Sequence, residues 1–225
     1  MTHALVVATT NRGKLDELRA LLANLGVQVL SPHDVAKKEI VVVEDGDTFE
    51  ANAKKKAREV AAHTMMLTIA DDSGLEVDVL GGAPGVRSAR FAGERATDAE
   101  NNAALLAALD TLDSDPGGMR TRAPEDTYAA RFRCVLALVD PFVKEGEPVV
   151  VDGVCEGKIT RTPRGSGGFG YDPLFLVDGT GKTMAELAEG EKNQLSHRAK
   201  AFAKLKLVIE KMLAERDAIT RKVCG

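Results

Sequence analysis

The first thirty residues constrain the fold of this chain more than any other stretch. Residues 5–8 form a short apolar run of strand type, and Thr9-Thr10-Asn11-Arg12-Gly13-Lys14 is polar and turn-forming. Leu15, Leu18, Leu21, Leu22 and Leu25 then recur at helical spacing until Gly26 stops them. Residues 27–30 read as the next strand. Strand, polar loop, helix and strand make the beginning of a βαβ unit, which calls for a sheet covered by helices and so for an α/β fold.

The remainder follows the same grammar. Residues 40–43 are apolar and β-branched and read as a strand, and 48–63 read as a helix with Thr48 as N-cap. Residues 67–70 and 76–80 read as two strands divided by an acidic turn, Asp71-Asp72-Ser73-Gly74. Thr97-Asp98-Ala99-Glu100 is a capping box that opens a helix running to about residue 112, and 113–126 reads as an exposed loop. Residues 128–139 and 149–159 alternate as long strands and are expected to pair as a hairpin turning at Lys144-Glu145-Gly146-Glu147. A glycine-rich segment, a strand over 174–177 and a second capping box, Thr183-Met184-Ala185-Glu186, precede a last helix capped by Ser196. In that helix Ala199, Phe202, Leu205, Val208, Ile209, Met212 and Leu213 recur at three and four, the pattern of core packing.

Composition removes several classes. With 225 residues, 44% hydrophobic, the chain is long enough for one large core or two lobes sharing one. It opens without a basic leader, and its apolar runs fall well short of the roughly 18 residues a membrane helix needs. No membrane partner and a cytoplasmic location are therefore expected. Cys134, Cys155 and Cys224 are odd in number and widely spaced, which argues against a disulfide framework and a zinc site; they read as core residues and a tail thiol. A net charge of -4 and the lack of tryptophan give no global attraction to nucleic acid and no base-stacking platform. Phosphate recognition, if present, must come from a local positive pocket.

Four polar constellations stand out. Thr9 to Lys14 lies between a strand and a helix N-terminus, where unpaired N–H groups, hydroxyls and an ammonium suit a triphosphate; a polar loop without ligand has the same composition. Glu44 and Asp45 follow one expected strand, and Asp71 and Asp72 another. If those strands are neighbours, their oxygens share a hard cation, for which magnesium is the natural choice, whereas apart they are solvated loop acids. Ser166-Gly167-Gly168-Phe169-Gly170-Tyr171-Asp172-Pro173 lets backbone approach a flat ligand while Phe169 or Tyr171 stacks on it and Asp172 or a main-chain group reads its edge. Lys192 with Ser196-His197-Arg198 brings cations to a helix start, suited to a phosphate or a purine carbonyl, and equally to ordinary surface charge.

Taken in order, Val7 to Lys14, Ala70 to Leu75, Gly81 to Val86 with Ser88-Ala89-Arg90-Phe91, Gly167 to Pro173, and Ser196-His197-Arg198 resemble the inosine/xanthosine triphosphate pyrophosphatase family, also called Ham1. The match runs from about residue 5 to 213. The resemblance implies one domain over 1–225, an elongated mixed sheet flanked by helices and forming two lobes, with a nucleotide cleft between them. It implies a homodimer that uses Mg2+ to hydrolyse the non-canonical purine triphosphates ITP, dITP and XTP to monophosphate and pyrophosphate.

Carried over by motif, Thr9, Thr10, Asn11, Arg12, Gly13, Lys14 and Lys56 would hold the phosphates. Glu44 and Asp72 would bind the metal, Asp72 would also act as base, and Ser73 would lie beside the substrate. Phe169, Gly170, Tyr171, Asp172, Lys192, His197 and Arg198 would form the base pocket. The chain departs from the family pattern at Ala51, where an acidic residue is usual; its absence removes a capping-box partner and implies weaker metal affinity or turnover. A nucleotide sensor without hydrolysis, or a pyrophosphatase of modified pyrimidine triphosphates, is the alternative.

Overall fold

The computed structural model describes residues 3–36, 38–114, 127–143 and 146–224. Six strands, β1 (His3–Ala8), β2 (Val27–Leu30), β3 (Thr68–Val77), β4 (Thr127–Val139), β5 (Val149–Thr160) and β6 (Phe175–Val177), form one mixed sheet in the order β2-β1-β3-β4-β5-β6. The helices are α1 (Arg12–Leu22), α2 (Pro32–Val35), α3 (Phe49–Thr64), α4 (Asp98–Ser114), α5 (Glu189–Leu195) and α6 (His197–Cys224). The α/β fold expected from the sequence is the one observed. Among the described residues no helix is long and apolar enough to cross a membrane.

β1 runs parallel to both β2 and β3, and its last pairs with β3 are Val7↔Ile69 and Ala8↔Ala70. That register sets the polar loop after β1 beside the two residues that follow Ala70, namely Asp71 and Asp72. Asn11 caps α1 by accepting the Lys14 N–H at 3.1 Å, so the loop is closed on itself before the first helical turn.

The chain divides into two compact units. The first comprises residues 1–72, 134–153 and 198–225. Its core packs Leu5, Val7, Ile69, Leu136 and Leu138 of the strands against Leu18 and Leu22 of α1 and Phe202, Leu205 and Ile209 of α6. The second comprises 73–133 and 154–197, with a separate core of Leu75, Val77, Leu105, Leu109, Phe132, Ile159, Leu174 and Phe175 among others. Cys134 and Cys155 are buried and in no disulfide among the described residues.

Two expectations need correction. The acidic residues do not divide two strands: β3 is continuous, and Asp71 and Asp72 sit in its middle, 0% and 5% exposed. Turn-forming residue types are overridden there because the chain supplies buried counter-charges to both carboxylates. The 40–43 run is not a strand, since it has no pairing partner among the described residues and leaves Val41 and Val43 72% and 63% exposed; β-branching favours a strand only against a neighbour. The capping box expected at Thr183 is present and opens a 3-10 turn, Met184–Glu186. The loop expected over 113–126 falls outside the described residues from 115 onward, as do the hairpin tip at 144–145 and the side chain of Cys224.

Candidate active site

In the first unit the site is built on β3 and α3. The buried stripe of α3 is Phe49, Asn52, Ala53, Lys56, Ala57, Val60 and Ala61, a helical period into which two polar residues intrude. Both face the β3 carboxylates. Lys56 Nζ lies 2.9 Å from Glu44 Oε1, 3.5 Å from Asp72 Oδ1, and donates to the Asp71 carbonyl at 2.7 Å. Glu44 and Asp72 thus meet on one ammonium, although Glu44 arrives from an irregular segment and not from a strand. Asn52 brackets Gly46, accepting its N–H at 2.8 Å and donating to its carbonyl at 3.3 Å, and so fixes the loop that carries Glu44.

The two neighbouring carboxylates live in opposite electrostatic environments. Asp71 receives Lys14 Nζ at 2.7 Å on Oδ1, and Arg198 Nε at 2.8 Å and the Cys134 thiol at 3.2 Å on Oδ2. Burial alone would raise its pKa, but the Arg198 guanidinium and the Lys14 ammonium override it and hold the carboxyl well below the usual range. Lys14 is raised in turn: burial opposes its charge, and the Asp71 and Asp72 carboxylates together outweigh it. For Asp72 burial wins. Its pKa is raised by desolvation, with Lys56 and Lys14 pulling the other way and the Glu44 charge adding to the rise. Its Oδ2 is buried without a hydrogen-bond partner among the described residues.

An orphaned buried carboxylate oxygen next to a second carboxylate is a donor set that fits a hard cation retaining several of its waters. Among the described residues no group of three or more His, Cys, Asp or Glu side chains gathers, so a cage for a softer or fully protein-bound metal is not formed there. Glu44 and Asp72 are the residues that fit Mg2+.

The base-reading candidates lie in the second unit. Asp172, 4% exposed, accepts Lys192 Nζ at 2.8 Å and the Phe169 N–H at 3.1 Å, both on Oδ2. Lys192 Nζ also sits 5.3 Å from the centre of the Phe169 ring, a cation–π contact. Gly168 and Gly170 adopt φ of 78° and 60°, and a Cβ on Gly168 would overlap Asp172 Oδ2 and come within 2.7 Å of Lys192 Nζ. Tyr171 is packed in the core with its hydroxyl donating to the Ser88 carbonyl at 2.9 Å, and burial, aided by the Asp98 charge, raises its pKa. Of the two aromatics offered for stacking, Phe169 is the half-buried one. His197 stacks on Phe132, centroids 4.9 Å apart.

The structure therefore brings Lys14, Glu44, Lys56 and Asp72 together, with Thr9, Thr10, Asn11, Arg12 and Gly13 forming the β1–α1 turn. It brings Phe169, Gly170, Asp172 and Lys192 together separately. Ser73 is half-buried in β3. Arg198 is 1% exposed and its guanidinium serves Asp71 and Glu17. Sequence reading missed the structural parts of Asp71, Glu17, Asn52 and Asp98. Asn52 and Lys56 were detectable as polar intrusions on an apolar helix face; Glu17, one acid on a polar face, carries no local signal.

The chain matches the family model described as Ham1 family over residues 5–208. It is 48% identical over 208 residues to the dITP/XTP pyrophosphatase of Shouchella clausii, covering 92% of this chain and 97% of the relative. It is 49% identical over 202 residues to the dITP/XTP pyrophosphatase of Geobacillus kaustophilus, covering 89% and 91%. Among solved structures it is similar to a HAM1 protein from Coxiella burnetii, with a TM-score of 0.77 and 39% identity over 93% of this chain and all of that one. A nucleoside-triphosphatase, dITP/XTP pyrophosphatase, from Mycobacterium abscessus aligns with a TM-score of 0.66 and 45% identity over 90% and 98%.

Proposed function

The chain belongs to the Ham1 family, and on that premise we propose that it hydrolyses ITP, dITP and XTP to the monophosphate and pyrophosphate, assisted by Mg2+. The observation that carries this reading is the meeting of Glu44 and Asp72 on the Lys56 ammonium, with Asp72 Oδ2 left buried and unpaired. The names borne by several similar proteins, dITP/XTP pyrophosphatase, support the substrate class.

Release of pyrophosphate in one step requires water to attack the α-phosphorus. Asp72 would take the proton of that water, its carboxylate being buried and its pKa raised by desolvation. Glu44 and Asp72 would hold Mg2+, which would supply positive charge to neutralise the phosphate tail. Lys14, locked on Asp71, presents a fixed positive charge at the first turn of α1, where Thr9, Thr10, Asn11, Arg12 and Gly13 add N–H and side-chain donors for phosphate oxygens. Lys56 balances the two carboxylates and contributes charge to the same phosphates. Covalent catalysis has no suitable group at Cys134, whose thiol is buried and pushed well up by burial and by Asp71.

At the base end, consecutive amides already donate to carboxylates, Phe169 N–H to Asp172 and Gly170 N–H to Asp98. Lys192, resting on Asp172 and over Phe169, is then the donor that meets a purine 6-oxygen and rejects the 6-amino group of ATP. Tyr171 supports the loop from below, and His197 completes the pocket beside Phe132. Operation as a homodimer belongs to the same reading and rests on the family resemblance.

The test is pyrophosphate release over ITP, XTP, dITP, GTP, ATP and dUTP, with and without Mg2+. Mg2+-dependent release from ITP, XTP and dITP in preference to ATP is expected. No release from any triphosphate points instead to a nucleotide sensor, and preference for dUTP to a pyrimidine enzyme.

A further inference from the structure

The loop that carries Phe169 is held from outside by a pair of α4 residues to which neither the motifs nor the family resemblance gives a role. Asp98 Oδ2 accepts the Gly170 N–H at 2.7 Å, and Asn102 Nδ2 donates to the Gly170 carbonyl at 3.0 Å. The two residues are one helical turn apart on α4 and grip the same glycine from both sides. We infer that Asp98 and Asn102 are positioning residues for base selection, fixing the Gly170 peptide and thereby the place of Phe169 and Lys192; this rests on the proposed pyrophosphatase reading.

The physical need for such a clamp lies in the loop itself. Gly168 and Gly170 both sit at positive φ, and beyond its chain neighbours no described residue comes within 4 Å of where a Gly170 Cβ would be, so that direction is open. Without an external anchor the 168–170 backbone has many accessible conformers, and binding a base selects among them at a cost in affinity. The Asp172 carboxylate fixes the Phe169 N–H, and the α4 pair fixes the next peptide. With both ends of that unit tied, the Phe169 ring stays under the Lys192 ammonium, the arrangement that discriminates a 6-oxo purine. Asp98 is exposed on the first turn of α4, where Thr97 and Glu100 make the capping box between themselves, so the helix start does not depend on it.

The experiment compares Asp98→Ala, Asn102→Leu and Asp98→Asn with the parent enzyme on dITP, dGTP and dATP. Asp98→Ala and Asn102→Leu are expected to raise KM for dITP about tenfold with kcat within about twofold, and to lower the dITP-over-dATP ratio of kcat/KM about tenfold. Asp98→Asn keeps an oxygen that accepts the Gly170 N–H and is expected to restore both quantities. Unchanged KM and selectivity in both loss variants, or a loss carried by kcat alone, overturns the clamp. A parent enzyme that releases no pyrophosphate from dITP overturns the pyrophosphatase reading instead. Should Asn102→Leu fail to fold, the exposed Asp98 pair of variants decides the matter by itself.

Discussion

Lys14 Nζ lies 2.7 Å from Asp71 Oδ1 in the interior of the first unit, and the other oxygen of the same carboxylate is held by Arg198. One buried anion therefore answers two cations. Removing it takes that partner from Lys14 and leaves Arg198 to Glu17, so Asp71→Asn is expected to lower stability at pH 7 by about 3 to 5 kcal/mol, read from denaturant midpoints.

The same group gives a pH dependence of known sign. The Asp71 pKa is lower in the folded state than the roughly 3.9 of a free aspartate, so the unfolded chain takes up the proton first. Its contribution is complete above about pH 4 and is lost as pH falls further. Denaturation midpoints between pH 7 and pH 3 are expected to fall more steeply for the wild type than for Asp71→Asn.

Asp72 runs the other way. Its folded pKa is raised, so ionising it costs stability as pH rises. Asp72→Asn is expected to leave the melting temperature at pH 7 unchanged or higher, while pyrophosphate release falls about 100- to 10,000-fold, the range for loss of a general base. A large drop in both would place Asp72 among structural groups.

At Ala51, Thr48 Oγ1 accepts the backbone N–H at 3.1 Å, which is half of a capping box. Ala51→Glu supplies the returning bond and is expected to stabilise the protein by about 0.5 to 1 kcal/mol. Ala51 Cβ lies 2.9 Å from where a Cβ on Gly46 would stand, two residues beyond Glu44. The added carboxylate is therefore expected to lower the Mg2+ concentration giving half-maximal rate, measured by titration at saturating dITP.

Gly168 has positive φ and no room for a methyl group against Asp172. Gly168→Ala is expected to raise KM for dITP at least tenfold and to cost about 1 to 3 kcal/mol of stability, through backbone strain and displacement of the Asp172–Lys192 pair.

Much of this was legible in the sequence because local chemistry and final structure agree: the β1 loop, the Thr48 and Thr97 caps and the Gly167–Pro173 loop all lie where residue types place them. Asp71 and Asp72 were misplaced at a strand end because Asp-Asp-Ser-Gly is turn chemistry. Lys14, Lys56 and Arg198, distant along the chain, supply the charges that make a strand possible there. The structural part of Asp98 was hidden inside a capping-box sequence that explained it adequately without the Gly170 contact.

Because β3 runs unbroken through Asp71 and Asp72, the pleat alone decides which of two chemically identical neighbours is sealed against Arg198 and which keeps an open oxygen. Inserting or deleting one codon between Thr68 and Asp71 would exchange their duties, putting the proton acceptor in the ion pair and the ion-paired acid toward Lys56. Substitutions can be explored at many positions of this strand, but its reading frame is immovable, and lineages that diverge in loop length should all keep the same count of residues here.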